Sequence, residues 1–205
     1  MKKNIFLLFI VILFLLVPTG CEVKKVEEVT DAERFTSEFS VTKNNPYHYI
    51  EIEEVLEIFE NGTGIILFAD PDSEKDQATV EILTEVFIKN NITKVYYYNP
   101  KRIRDNNTKE YQQLIKLLEK YQEQNNNDND EVDENETIEK EELFLYLPDI
   151  YFVKNGTIIG HNNDIVTMEL DKEEFLTEKQ RKQLKQNYEK LIKEWNAVEC
   201  TDDEC

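Results

Sequence analysis

Positive charge is scarce in this chain. Only 24 lysine and arginine residues stand against 43 aspartate and glutamate residues, so the formal net charge is −19. A surface with this balance repels phosphates, which makes nucleic acid an unfavourable partner and disfavours binding of the folded part to anionic lipid surfaces. We expect the excess acid to form a well-hydrated surface rather than a functional acidic patch.

Histidine and cysteine are also scarce, with two and three residues among 205. Only His48 and His161 could act as a general base, and neither is adjacent in sequence to a candidate nucleophile. This disfavours serine or aspartate hydrolase chemistry. His161 has no partner ligands nearby in sequence, so we expect a surface or hydrogen-bonded histidine rather than a metal ligand. No metal ion and no cofactor is expected.

No apolar run is long enough for a comfortable membrane span. The run at 5–17 has 13 residues, follows Lys2 and Lys3, and ends in Val-Pro-Thr-Gly-Cys at 17–21. This pattern resembles the lipobox of bacterial lipoproteins, in which the cysteine sulfur receives a diacylglycerol and the chain is cut before it. The resemblance implies a signal peptide at 1–20, lipidation of Cys21 and a lipid anchor on the extracytoplasmic face of the cell membrane. The alternative is secretion with Cys21 free.

The hydrophobic fraction of 40% is enough for one modest core. Residues 21–46 are polar and are interpreted as a tether, with a helix near 30–39 that Thr30 and Glu33 could cap. The domain is predicted over 47–199, and a tail with two cysteines follows at 200–205.

A β-α-β unit is predicted at the centre of the domain. Residues 65–69 form a continuous apolar run, as expected for a strand covered on both faces. Helical spacing follows at 73–90, and 93–98 is rich in β-branched and aromatic residues, which favours a second, parallel strand. Tyr96, Tyr97 and Tyr98 could suggest a substrate box, but aromatic residues in a strand usually serve packing.

Helices are predicted at 52–59 and 108–121 on either side of this unit. An acidic insertion at 122–142 has the composition of a solvated loop, and its aspartates do not match the spacing of an EF-hand calcium loop. Strands at 149–154 and 157–160 flank Asn155-Gly156, a strong hairpin turn, and a capped helix follows at 177–195. The predicted fold is therefore α/β, with a mixed sheet flanked by helices.

This order of elements, with a proline just before the third strand, resembles the thioredoxin fold. More narrowly, the chain is similar to thioredoxin-like lipoproteins of Gram-positive bacteria related to bacteriocin accessory thioredoxins. The matching stretches are 61–66, 96–99, 147–149, 152–156, 160–161 and the cysteines at 200 and 205. The resemblance implies a thioredoxin-like domain in which Pro148 forms a cis peptide bond and faces the redox site.

The redox site implied by the resemblance lacks both of its sulfur atoms. Where the family has Pro-x-Cys-x-x-Cys-Gln, residues 71–77 read Pro-Asp-Ser-Glu-Lys-Asp-Gln, so Ser73 and Asp76 stand at the cysteine positions. Disulfide exchange needs a thiolate that attacks and a second thiol that resolves, so no such activity is predicted there. Ser73 and Asp76 instead fit a helix-capping box.

A peptide-binding groove could survive without chemistry. The resemblance places it at Pro71, Ser73, Asp76, Leu147 and Pro148. Its rim would be acidic, which favours cationic peptides. The acids of this rim are Asp70, Asp72, Glu74 and Asp76.

Cys200 and Cys205 form an even pair in an oxidising compartment. A disulfide between them would close a small loop, and the acidic residues between them argue against a reactive thiolate. We therefore expect a structural bridge, with a relocated redox pair as the alternative. The predicted function is a non-catalytic binding or accessory module for an exported peptide or protein. The competing hypothesis is a thiol-disulfide oxidoreductase, or a redox partner, working through these two cysteines.

Overall fold

The computed structural model describes residues 29–127, 144–169 and 175–198. Cys21, Cys200, Cys205 and most of the acidic insertion lie outside these residues. Within the described part of the chain, no helix is both long enough and apolar enough to cross a membrane. The helices and strands are α1 Asp31–Phe39, β1 Tyr47–Tyr49, α2 Ile52–Glu60, β2 Gly64–Phe68, α3 Glu74–Lys89, β3 Val95–Tyr98, α4 Lys101–Asp105, α5 Lys109–Asn127, β4 Asp149–Lys154, β5 Thr157–Asn162, a 3-10 helix Asp164–Thr167 and α6 Glu178–Ala197.

The five strands form one mixed sheet in the order β1-β3-β2-β4-β5. β3 pairs in parallel with both β1 and β2, whereas β4 pairs antiparallel with β2 and with β5. The predicted α/β class and mixed sheet are confirmed. β1 and the one-turn helix α4 were missed, because three and five residues are too few to display a period.

Helices cover both faces of the sheet. Alternate residues of a strand point to opposite faces, so β2 contributes Ile65 and Leu67 to one core cluster and Ile66 and Phe68 to the other. The first cluster includes apolar residues of α1, α3 and α6, and the second includes residues of α2 and α5. This double cover is the reason that β2 is an unbroken apolar run.

Helix α1 is part of the packed unit. Thr30 and Glu33 form the predicted capping box at its start. Phe35 and Phe39 are 0% and 2% exposed, and the Phe35 ring stacks on that of Tyr47 with 3.9 Å between centroids. Packing against the sheet therefore begins before residue 47, within the segment interpreted as a tether.

The remaining elements follow the sequence with shifted ends. Asn155 and Gly156 have positive φ angles of 49° and 71°, as the predicted two-residue turn requires. A Cβ at Gly156 would lie 2.3 Å from the carbonyl oxygen of Glu60, so this turn needs glycine. β5 continues to Asn162 rather than ending at residue 160, and α5 continues to Asn127, six residues into the predicted insertion.

Candidate functional site

The residues predicted to form the groove meet at one edge of the sheet, where β2 and β3 end and β4 begins. Phe68 of β2 pairs with Asp149 of β4. One further step of this register places Pro148 opposite Ala69, directly before the loop that leads into α3. The Leu147–Pro148 peptide bond is cis, as predicted. Pro148 and Asp76 are buried, whereas Pro71, Ser73 and Leu147 are partly exposed.

Ser73 is the N-cap of α3. Its Oγ accepts a hydrogen bond from the backbone N–H of Asp76 at 3.3 Å. The reciprocal half of the predicted capping box is absent, since the Ser73 N–H donates to the carbonyl oxygen of Asp70 at 3.0 Å. The Asp76 carboxylate instead accepts the backbone N–H of Asp70 at 2.7 Å. These bonds join the loop to the first turn of the helix.

Asp76 is a buried acid that forms no ion pair with any residue in the described part of the chain. It is 1% exposed, and its Oδ1 has no hydrogen-bond partner among the described residues. Burial is the main cause that raises the pKa of this carboxyl, and repulsion from Asp70 adds to it. Hydrogen bonds from Ser73 and from the Asp70 N–H act in the opposite direction without cancelling the effect. The site therefore favours the neutral carboxyl more than water does.

Asp70 differs because Lys101 neutralises it. The Lys101 Nζ lies 2.8 Å from an Asp70 carboxylate oxygen and 3.4 Å from one of Asp72. Burial, the largest effect, would raise the pKa of Asp70, but bonds from Lys101, the Asp72 N–H and Asn99 together lower it. The acidic rim is thus weaker than predicted, because Asp70 is paired and Asp76 is buried, which leaves Asp72 and Glu74 exposed.

Lys101 was not predicted as part of the site. Its signal in the sequence was its position directly after Asn99-Pro100, which end the second parallel strand. Because carboxyl ends of parallel strands meet at the same edge of a sheet, a charged residue there comes close to the residues that follow β2.

Asp149 and His161 form a second polar link at this edge. Asp149 follows Pro148 and is 2% exposed, and one of its carboxylate oxygens lies 3.1 Å from Nδ1 of His161. The His161 ring stacks on Tyr151 with 5.0 Å between centroids. The prediction of a hydrogen-bonded histidine is confirmed, but its partner was missed.

Burial and mutual attraction oppose each other in this pair. Burial raises the pKa of Asp149 despite the bonds to His161 and Tyr151. It would also lower the pKa of His161, but the bond to Asp149 and the charges of Asp149 and Asp164 together outweigh it, so the pKa of the imidazole is raised. No group of three or more histidine, cysteine, aspartate or glutamate residues among those described could hold a metal ion.

A cavity of about 320 Å³ adjoins the site at the carboxyl ends of β1 and β3. Pro71 and Asn99 line its side toward the predicted groove. Arg34, Glu38 and Glu51 bring charge to its opposite side. The described edge therefore offers hydrogen bonds, charge and a concave surface. Positions 73 and 76, where the resemblance implies cysteines, hold a hydroxyl and a carboxyl.

Compared with protein-family models, with curated protein sequences and with solved structures, the chain gives no match. An inference about its function therefore depends on the chemistry of this edge of the sheet and on the sequence patterns.

Proposed function

We propose that the chain is a lipid-anchored, extracytoplasmic protein with a thioredoxin-like domain that binds an exported peptide or protein without catalysing disulfide exchange. The lipid at Cys21 would hold it on the outer face of the cell membrane. Nucleic acid is not a partner in this proposal, because the formal net charge is −19.

The sheet supports the thioredoxin-like part of the proposal. Its order β1-β3-β2-β4-β5, with three parallel strands followed by an antiparallel hairpin, is compatible with that fold. The helix that would carry the redox pair follows β2, and the proline that would face it precedes β4.

The observation that carries the non-catalytic part is the use made of Ser73 and Asp76. Ser73 Oγ caps α3, and the Asp76 carboxylate accepts the Asp70 N–H within the same junction. A serine hydroxyl does not ionise near neutral pH, and a carboxylate cannot form a mixed disulfide. Both side chains therefore make local hydrogen bonds at the edge of the site and cannot transfer electrons.

The surface beside this junction supports binding of an extended segment. Leu147 is partly exposed at the point where the chain enters β4, and just before it Phe144 and Tyr146 are 44% and 54% exposed. Their rings contact each other with 5.0 Å between centroids. Apolar side chains beside an extended backbone suit a peptide that lies along it.

Two measurements test the proposal. The purified chain is expected not to reduce insulin, and Ser73→Ala is expected to leave that result unchanged. Insulin reduction that disappears in a Cys200→Ser, Cys205→Ser double variant would favour the competing oxidoreductase instead.

Binding is measured by fluorescence anisotropy with labelled, unstructured nonapeptides built from alanine, serine, leucine and norleucine. Leu147→Asp is expected to weaken binding about tenfold or more, because it places a charge in the apolar contact. Ile88→Asp is the matched control, since Ile88 is another exposed apolar residue, 44% exposed, near the opposite end of α3. Equal losses in both variants, or no binding by the unaltered chain, would contradict the proposal.

A further inference from the structure

The cavity of about 320 Å³ lies where ligands commonly bind in open α/β sheets. β2 connects to α3, which packs in one core cluster through Val80 and Leu83. The neighbouring strand β3 connects to α4 and α5, which pack in the opposite cluster through Ile103 and Leu114. Such a divergence opens a crevice at the carboxyl ends of the two strands. Pro71, just after β2, and Asn99, just after β3, both line the cavity.

Arg34 and Glu38 already satisfy each other within the cavity. Nε of Arg34 donates to Glu38 at 3.0 Å, and the guanidinium lies 3.9 Å from the centroid of the Tyr49 ring. The Tyr49 hydroxyl donates to the second oxygen of Glu38 at 2.7 Å. The charges of Arg34 and Glu38 therefore compensate each other, and the pair contributes little net field to the cavity.

Glu51 supplies the unbalanced charge. It is exposed at the mouth of the cavity, directly before α2, and no lysine, arginine or histidine among the described residues forms an ion pair with it. Burial is the main cause that raises the pKa of Tyr98, on the cavity wall. The charge of Arg102 acts in the opposite direction, and Glu51 and Glu53 add smaller raising effects. Of the charged lining residues, Arg34 and Glu38 pair with each other and Glu51 remains, so the lining carries a net negative charge.

The aromatic side chains of the cavity wall also favour a cationic ligand. Tyr98 is partly exposed and lines the cavity, whereas one face of the Tyr49 ring is already occupied by the Arg34 guanidinium. The face of an aromatic ring attracts a cation, and a nearby carboxylate strengthens that attraction. An anionic group would meet the carboxylate of Glu51.

We propose that this cavity binds one long cationic side chain, lysine or arginine, of the peptide that occupies the neighbouring groove. The inference rests on the proposed binding function and adds a specificity determinant to it. Glu51 is the residue that selects the charge, and Pro71 joins the cavity to the groove.

The test uses two further sets of labelled nonapeptides. In one set a single lysine is placed at each position in turn, and in the other norleucine replaces that lysine. At the best position, we expect lysine to bind about fivefold more tightly than norleucine, which equals about 1 kcal/mol. Glu51→Gln is expected to abolish most of that preference and to leave the norleucine peptides unchanged. Glu57→Gln is the matched control, since Glu57 is an exposed acid of α2 that does not line the cavity.

Arg34→Gln is expected to change the affinity for the lysine peptide in the opposite direction. It frees the Glu38 carboxylate from its internal partner, so the lysine peptide should bind more tightly, a result that damage to the fold would not produce. If lysine and norleucine peptides bind equally and Glu51→Gln changes nothing, the cavity proposal is wrong while peptide binding stands. If neither set binds, both proposals are wrong.

Discussion

The β2–α3 junction and the β4–β5 hairpin each contain one almost completely buried carboxyl group at the same edge of the sheet. Asp76 of the junction is 1% exposed and Asp149 of the hairpin is 2% exposed. Asp149 has the imidazole of His161 at 3.1 Å, whereas Asp76 has backbone and hydroxyl donors and one oxygen without a partner among the described residues. Equal burial therefore produces two different electrostatic situations.

The difference separates the effect of burial from the effect of a partner. Burial raises the pKa of both carboxyls. In the hairpin, the neighbouring imidazole can carry the compensating charge, so the pair can persist as an ionic hydrogen bond. In the junction, no cation among the described residues forms an ion pair with Asp76, so burial disfavours the ionised form without compensation from a positive charge.

Removal of Asp149 should have the largest effect on stability. Asp149→Ala leaves the largely buried His161 without its carboxylate and opens space beside Tyr151, so we expect a loss of about 3 kcal/mol in the free energy of unfolding. Denaturation by urea at pH 6 measures this loss. Asp149→Asn, which keeps the shape and one acceptor, should cost less. A loss below about 1 kcal/mol for the alanine variant would show that the pair contributes little.

A smaller effect of the opposite sign is expected at Asp76. Its pKa is raised above 3.8 in the folded chain, so the unfolded chain loses the proton first, and stability falls as the pH rises from about 3.8 through the raised pKa. Asp76→Asn cannot ionise and keeps the acceptor for the Asp70 N–H. We expect it to be about 1 kcal/mol more stable than the unaltered chain at pH 8 and no more stable at pH 3.5.

Thermal unfolding of both chains across this pH range checks the prediction. Thr177→Ala serves as the comparison, because Thr177 caps α6 together with Gln180 and neither residue ionises, so its loss should lower stability by about 1 kcal/mol at every pH. A constant difference between Asp76→Asn and the unaltered chain would mean that Asp76 does not titrate as its burial implies.

The smallest effect is expected at the exposed ion pair. Lys101 is 43% exposed, so Lys101→Met should change the unfolding midpoint hardly at all. It should, however, raise the pKa of Asp70, because burial would then act without its main opposing partner. Carbon-detected NMR titration of the Asp70 carboxyl follows this shift, and Lys75→Met provides a control at another lysine of the same edge.

The local features of the fold could be predicted from the sequence. Thr30, Ser73 and Thr177 start helices as N-caps, and Asn155-Gly156 makes the hairpin turn. Each feature depends on residues within a few positions of one another. The candidate site was predicted less completely, because the loop residues were identified but Lys101 and the role of Asp149 were not.

The amino-acid sequence by itself determined the apolar runs, the caps and turns, the scarcity of positive charge and the absence of thiols at positions 73 and 76. Tertiary structure decided which acidic side chains have a basic partner. Lys101 reaches Asp70, and His161 reaches Asp149, because strand pairing brings separate segments to one edge. It also buried Phe35 and Phe39 against the sheet. The physical reason is that burial and charge pairing depend on which strands and helices are neighbours in space, and a short-range pattern contains no record of them.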